Sequence, residues 1–323
     1  MVELVTFGET PIRFSPPDSE RVEMAREARM YADGIESNVA VATAALGTEV
    51  LWLSKLPDTA IGRNVVHQIE SSGAGTAITW TDDPESRQGI VFRESAVQPR
   101  ESRYWQDRAS TAAATAEPAE FPIETVQESQ AVYTALSTAV LSEGVTTTAE
   151  ALLRAGGSSG AVTAVDLDYT PGLASSEQFG DVFERLSDEV DILISSETGV
   201  RDVLGETGRV RELTNTLSAV YDLQIVVLRR EEGSAAALHD TPGTNVIHER
   251  ESVETDTVDP TGARGAFTGA FLHELIQGSD TSSALNVAVA TAALAETTPG
   301  PFLNKSGDEI ETIVDNVREN SGT

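Results

Sequence analysis

The sequence predicts an α/β fold, with a mostly parallel, doubly wound sheet, helices on both faces and a small second sheet beside it. Three observations predict it. Short apolar runs of strand character alternate with runs of helical period along most of the chain. Glycines stand where those helical runs stop. Two charged, strand-like segments, at about 12–33 and 86–109, interrupt the alternation. A chain of 323 residues can bury a large core, and α/β sheets of this size often form one domain. One domain over 1–323 is therefore expected.

The elements follow in order. "ELVTFG" (Glu3–Gly8) is a short apolar run without a basic flank, and reads as a buried strand rather than a leader. "NVAVATAALG" (Asn38–Gly47) is a helix stopped by Gly47. "EVLWLSKL" is a strand, and "IGRNVVHQIESSG" is a helix stopped by Gly73. Then come a helix in "TTAEALLRAGG", a strand in "AVTAVDLDY", a helix in "EQFGDVFERLSDEV" and a strand in "DILISS". "RVRELTNTLSAVY" and "QIVVLRR" repeat the helix–strand step. The C-terminal part is helical: "GAFTGAFLHELIQG", "TSSALNVAVATAALAE" and "GDEIETIVDNVRE". The two interrupting segments are expected to pair as a lid projecting from the main sheet. No internal repeat and no linker stands out.

The formal net charge is -30, and Lys55 and Lys305 are the only lysines. Such a surface repels nucleic acid and anionic membrane, so neither is an expected partner. Many acidic residues, few lysines and many small residues resemble the composition of proteins from salt-in halophiles. Acidic clusters therefore belong to the surface as a whole, and no metal site is assigned from them. No cysteine is present, which excludes disulfides, thiolate catalysis and Cys-based zinc sites. The four histidines (His67, His239, His248, His273) are scattered, without metal-ligand spacing. No apolar run approaches membrane-spanning length, and a cytoplasmic protein is expected.

The stretch "DPTGARGAF" (Asp259–Phe267) carries the chemistry. Gly262, Ala263, Arg264 and Gly265 lead into a helix whose apolar face is Phe267, Ala270, Phe271 and Leu275. Free N–H groups and the positive end of the helix dipole make such a loop an anion cradle. An ordinary glycine turn before a core helix is the plainer reading.

Together with its surroundings, "DPTGARGAFTGAFL" resembles the C-terminal signature of the ribokinase-like (PfkB) carbohydrate kinases, D-T-x-G-A-G-D-x-F-x-G-x-F. The residues aligned with it are Asp259, Thr261, Gly262, Ala263, Ala266, Phe267, Gly269 and Phe271, Thr261 and Ala266 at its open positions. "DGIESNVAVATAALG" is similar to the family's sugar-site motif at Gly34, Glu36, Ser37, Asn38, Val39 and Ala40. "LSKLPDTAIGR", "WQDRAST" and "VDLDYTPGL" look like three further family segments, in family order. The nearest subgroup is the 2-keto-3-deoxygluconate kinases, and the likeness runs from about Val5 to Gly300. The resemblance implies a ribokinase-like fold with a β lid, ATP and Mg²⁺, and phosphoryl transfer to a sugar or sugar acid. It assigns substrate contacts to Gly34, Asn38, Arg108 and Asp168, and nucleotide contacts to Gly233, Thr261 and Asn286. A homodimer through the lid is the oligomer it suggests.

The chain departs from the pattern where the chemistry sits. Gly265 stands where the family has its general-base Asp, and Arg264 where it has Gly. A lost general base typically lowers a rate by about 10²- to 10⁴-fold. The metal- and phosphate-linked N-x-x-E motif falls on Ser196 and Gly199. The nucleotide strand V-T-x-G has Leu228 for Thr and Arg230 for Gly. On the sugar side, Thr170 replaces an Arg, Val91 an aromatic and Gln106 a Tyr. Two expectations follow. One is a sugar kinase whose catalysis is impaired, or whose acid is re-sited among Asp256, Asp259 and Asp168. The other is a non-catalytic sugar- or nucleotide-binding regulatory protein.

Other signals are weaker. "GGSSG" (Gly156–Gly160) fits a serine-hydrolase elbow, but a helix precedes it and a strand follows, the reverse of what that elbow needs. Tyr104 and Trp105 suit stacking on a sugar or packing in a lid dimer. Asp166 and Asp168 end a strand where α/β sheets bind ligands, or cap the next loop.

Overall fold

Leu4–Phe7 (β1) is the hub of the main sheet, pairing in parallel with Val50–Pro57 (β4) and Ala131–Ala135 (β8). The structure is a computed structural model describing residues 1–230, 234–241, 244–304 and 309–321. From β4 the sheet ends in Gly75–Thr81 (β5). From β8 it continues through Val162–Asp166 (β9), Ile192–Ser196 (β10) and Ile225–Arg229 (β11), all parallel. An antiparallel hairpin, Ala235–Thr241 (β12) and Thr244–Arg250 (β13), closes that side. The strand order is β13-β12-β11-β10-β9-β8-β1-β4-β5, nine strands. The strand order progresses outward both ways from the β1/β8 junction, the switch point beyond which such sheets bind ligands.

Helices cover both faces. One face carries Ile35–Ala45 (α1), Ala60–Ser71 (α2), Ala263–Ile276 (α9), Thr281–Glu296 (α10) and Glu309–Ser321 (α11). The opposite face carries Ile123–Glu128 (α3), Leu136–Ala139 (α4), Glu143–Gly157 (α5), Ser176–Leu186 (α6) and Val210–Tyr221 (α8). Glu197–Gly199 (α7) leads into a π-helical turn, Val200–Leu204. Alternate strand residues feed two separate cores: Leu4, Ile192, Ile194 and Val227 one, Val5, Leu193, Val226 and Leu228 the other. This is the buried-on-both-sides pattern of a parallel sheet. Gly47 and Gly73, the expected helix stops, lie at φ 104° and 98°, where only glycine is unstrained.

The strands of the expected lid are Ile12–Ser15 (β2), Arg29–Ala32 (β3), Ile90–Glu94 (β6) and Arg103–Asp107 (β7), all inside the two segments that broke the alternation. They form a four-stranded sheet of order β3-β2-β6-β7 among the described residues. "GGSSG" joins α5 to β9 as a helix stop and loop.

Candidate functional site

The carboxyl ends of β1, β8 and β9 supply Glu9, Ser137 and Asp168 to a cleft of about 480 Å³ beneath the lid. Asp33, Gly34 and Asn38 close its floor, and Val91, Tyr104 and Gln106 of the lid form its roof. Strand alternation explains the roof. Val91 pairs with Gln106 and Arg93 with Tyr104, so these side chains share the inward face. Trp105 is on the other face, 44% exposed, so it does not line the cleft.

Polar groups inside the cleft are held firmly. Arg108 donates to Glu9 Oε2 at 2.6 Å and to the Ser137 carbonyl at 3.0 Å, with both charged side chains buried. Asp33 forms an ion pair with Arg13 at 2.7 Å and accepts from Asn38 Nδ2 at 2.9 Å. Gly34 packs so tightly that a Cβ would lie 2.3 Å from the Glu9 carbonyl oxygen. Three buried acceptors lining the cleft, Glu9 Oε1, Asn38 Oδ1 and Gln106 Oε1, have no hydrogen-bond partner among the described residues, and Asp168 Oδ1 has only its ion pair with Arg264. A buried polar atom left unpaired costs about 1–3 kcal/mol. A hydroxyl-rich ligand supplies donors that relieve it. Glu36 lies below the floor with its carboxyl fully buried, and burial raises it to about 7 against a hydrogen bond from Thr138 and the charge of Arg108.

The anion loop forms one wall. Asp259 accepts from the Thr261 N–H, the Thr261 hydroxyl and the Gly300 N–H, which fixes the turn Pro260–Gly262 ahead of α9. The lid reaches over to it. Arg93 sits 3.3 Å from Asp259, and the buried Arg13 donates to Thr261 Oγ1 at 3.2 Å. Asp259 is thus fully engaged in holding the loop and lid. Asp256 is exposed and lines neither this cleft nor the next.

Gly265 lies where α9 crosses α1. A Cβ there would stand 2.5 Å from Asn38 Cβ and 3.1 Å from the Asn38 carbonyl carbon. The position offers no carboxylate, and α1 fills the space beside it. Arg264 turns the other way and pairs with Asp168 across the cleft mouth. The Asp168 backbone has φ 32°, a left-handed geometry that Asp tolerates better than most residues. It is held by the Asp168 N–H to Asp166 Oδ1 bond at 3.0 Å and by Thr170 Oγ1 donating to the Asp168 carbonyl at 3.1 Å.

A second cleft, about 570 Å³, opens on the far side of the loop. Pro260 and Arg264 line both clefts. Arg229 and Arg230 edge the second, and Val253, Val289, Ala292 and Ala293 supply its apolar wall. Arg229 forks onto Asp166 at 3.0 and 3.1 Å. An apolar wall beside guanidinium groups suits a nucleotide, with base on one and phosphates on the other. The positions of the metal-linked motif do not fit a protein-held Mg²⁺. Gly199 has no side chain, and Ser196 Oγ caps the Gly199 N–H at 2.9 Å. Among the described residues no group of three His, Asp or Glu converges as a metal site.

The structure brings together Gly34, Asn38, Arg108, Asp168, Thr261 and Arg264 in the lid-side cleft, with Ala263 and Arg264 in the other. Thr261 therefore lines the cleft opposite to a nucleotide role. Asn286 sits on α10, accepting from Arg250, and lines neither cleft. Gly262 is buried at the loop's turn. Gly233 lies outside the described residues. Sequence reasoning missed Glu9, Asp33 and Arg13; a charged residue just past or inside an apolar strand was the available signal. Among the described residues no helix is long and apolar enough to cross a membrane.

Residues 1–305 match the family model described as pfkB family carbohydrate kinase. The chain is 41% identical over 312 residues to 2-dehydro-3-deoxygalactonokinase of Haloferax volcanii, covering 97% of this chain and 96% of that one. It is 23% identical to 2-dehydro-3-deoxygluconokinase of Thermoproteus tenax, covering 91% and 88%. Among solved structures, 2-dehydro-3-deoxygluconokinase of Thermotoga maritima superposes with a TM-score of 0.87 at 25% identity, covering 98% and 100%. A putative ribokinase II from E. coli, in complex with ATP and Mg²⁺, superposes at 0.84 and 19% identity, a likeness of fold, covering 98% and 100%.

Proposed function

The chain belongs to the pfkB family of carbohydrate kinases, and we propose that within it the protein transfers the γ-phosphoryl group of ATP to a hydroxyl of a 2-keto-3-deoxy sugar acid. The observation that carries this reading is the pair of clefts meeting at Pro260 and Arg264. One cleft suits a nucleotide. The other is polar, roofed by the lid, and holds three buried acceptors that call for hydroxyl donors. The printed activities of the relatives from Haloferax volcanii and Thermoproteus tenax support the substrate class. Arg108 is the cation available to a substrate carboxylate. Mg²⁺ would accompany the nucleotide as part of the substrate, since Ser196 and Gly199 do not fit a protein-held ion. The Arg229 and Arg230 edge receives the phosphates, and Arg264 meets the one being transferred. Phosphoryl transfer depends mainly on positioning and charge, which this arrangement provides.

A second reading, a binding protein without catalysis, is favoured by one observation: Gly265 is packed against α1 with no carboxylate. ADP release with ATP and 2-keto-3-deoxygalactonate or 2-keto-3-deoxygluconate, in molar KCl, separates the two. Sugar-dependent ADP release is expected. Sugar-acid binding by calorimetry without any ADP release would establish the second reading instead.

A further inference from the structure

The geometry points to Asp168 as the group that takes the acceptor hydroxyl's proton, with Arg264 as its partner and as the cation that meets the transferred phosphoryl group. This rests on the kinase reading above. Four carboxylates lie at the lid-side cleft: Glu9, Asp33, Glu36 and Asp168. Glu9 is tied to Arg108 at 2.6 Å, and Asp33 to Arg13 at 2.7 Å. Glu36 is buried under Gly8, where a Cβ would fall 2.0 Å from its carboxyl carbon, and it accepts from the Ala135 N–H at 3.2 Å. Asp168 alone of the four touches a residue that lines both clefts.

Its construction suits the role. Its side chain is 5% exposed, while that of Arg264 is 49% exposed and free to swing. The left-handed backbone at Asp168, braced by Asp166 and Thr170, aims the carboxylate at the mouth between the clefts. Strain of this kind gathers at functional sites. With ATP present, the γ-phosphate draws the Arg264 guanidinium onto itself and leaves the carboxylate free. The acceptor oxygen then bonds to the γ-phosphorus. The bond from that phosphorus to the β,γ-bridging oxygen breaks, and its electron pair leaves with ADP. The hydroxyl proton passes to Asp168. The carboxylate absent at 265 is supplied from the opposite wall.

Asp168→Asn is the test, because Asn accepts a left-handed backbone at least as readily as Asp. In molar KCl, kcat for sugar-dependent ADP release should fall about 10²- to 10⁴-fold. Sugar-acid and ATP dissociation constants should stay within threefold, and circular dichroism should be unchanged. Asp168→Glu, which keeps a displaced carboxylate, should fall between wild type and Asp168→Asn. Asp256→Asn, at an exposed residue of neither cleft, should match wild type. Arg264→Ala should raise KM for ATP as well as lower kcat. Asp168→Asn with kcat within threefold of wild type would overturn the assignment and leave the kinase reading standing. So would Asp168→Glu no faster than Asp168→Asn. A wild type that releases no ADP with either sugar acid sinks both.

Discussion

Glu36 is the residue whose charge the fold suppresses most plainly. Burial beneath Gly8 and Ala135 lifts its carboxyl from its ordinary 4.5 to about 7. In the unfolded chain the same group ionises near 4.5. Between those values unfolding releases a proton, so this residue's contribution makes stability fall as pH rises from about 4.5 to about 7, and flat beyond. The span corresponds to about 3 kcal/mol. Glu36→Gln removes the slope. Urea denaturation in molar KCl should show the variant gaining on wild type by that order between pH 5 and pH 8, and a constant difference would refute it. Nothing in "DGIESNVA" announces such a state, because the sequence shows a motif and not how deep its carboxylate lies. The same limit hides Asp168. Arg264 and Gly265 are visible as departures from a pattern, but their consequences depend on contacts far apart in the chain. Only the fold shows that Arg264 meets Asp168 and that 265 abuts Asn38. A carboxylate restored at 265 must first push α9 off α1, overpacking of a kind that typically costs about 1–3 kcal/mol.

The lid is the element the sequence disclosed best, because a break in a regular β/α alternation is a strong signal. Its two faces are a finding of the structure. Met30, Phe14, Phe92 and Trp105 are successive cross-strand partners, so they form one apolar row across all four strands, away from the cleft. Met30, Phe92 and Trp105 are 44%, 40% and 44% exposed, and Phe14 stacks on Phe92 with ring centroids 5.6 Å apart. A second copy laying the same row against it would bury it with two-fold symmetry. Light scattering in molar KCl is expected to give a dimer, and Phe92→Ser with Trp105→Ser a monomer; a monomeric wild type would refute it. Other elements escaped the sequence. β8 lies inside the sheet between β1 and β9, yet "AVYTA" is five residues long, buried on both faces and followed at once by α4. β12 opens on "AAA", which has little strand propensity of its own, and its pairing with the edge of β11 makes it a strand.

At the scale of the whole molecule, charge decides under which conditions any of this exists. The net charge is -30 over 323 residues, and most carboxylates have no cation to pair with, since Lys and Arg together number 22 against 52 Asp and Glu. Several of the ion pairs that do form sit at particular joints: Arg13, Arg93 and Arg108 at the cleft, Arg154 and Arg185 between α5 and its neighbours. The remaining surface repels itself. In 1 M salt the Debye length is about 3 Å, and neighbouring carboxylates scarcely sense one another; at 0.1 M it is about 10 Å, and they do. Lowering KCl should therefore unfold the protein, with far-UV circular dichroism lost on dialysis from 2 M to 0.05 M and regained on return. Salt also strengthens hydrophobic burial through exclusion from the surface, which an osmolyte of zero net charge imitates without adding ionic strength. Glycine betaine at matched osmolality should thus protect less than KCl at low ionic strength. Full helicity at 0.05 M KCl would show that the acidic surface is tolerated without screening, and equal protection by betaine would move the cause from charge to hydration.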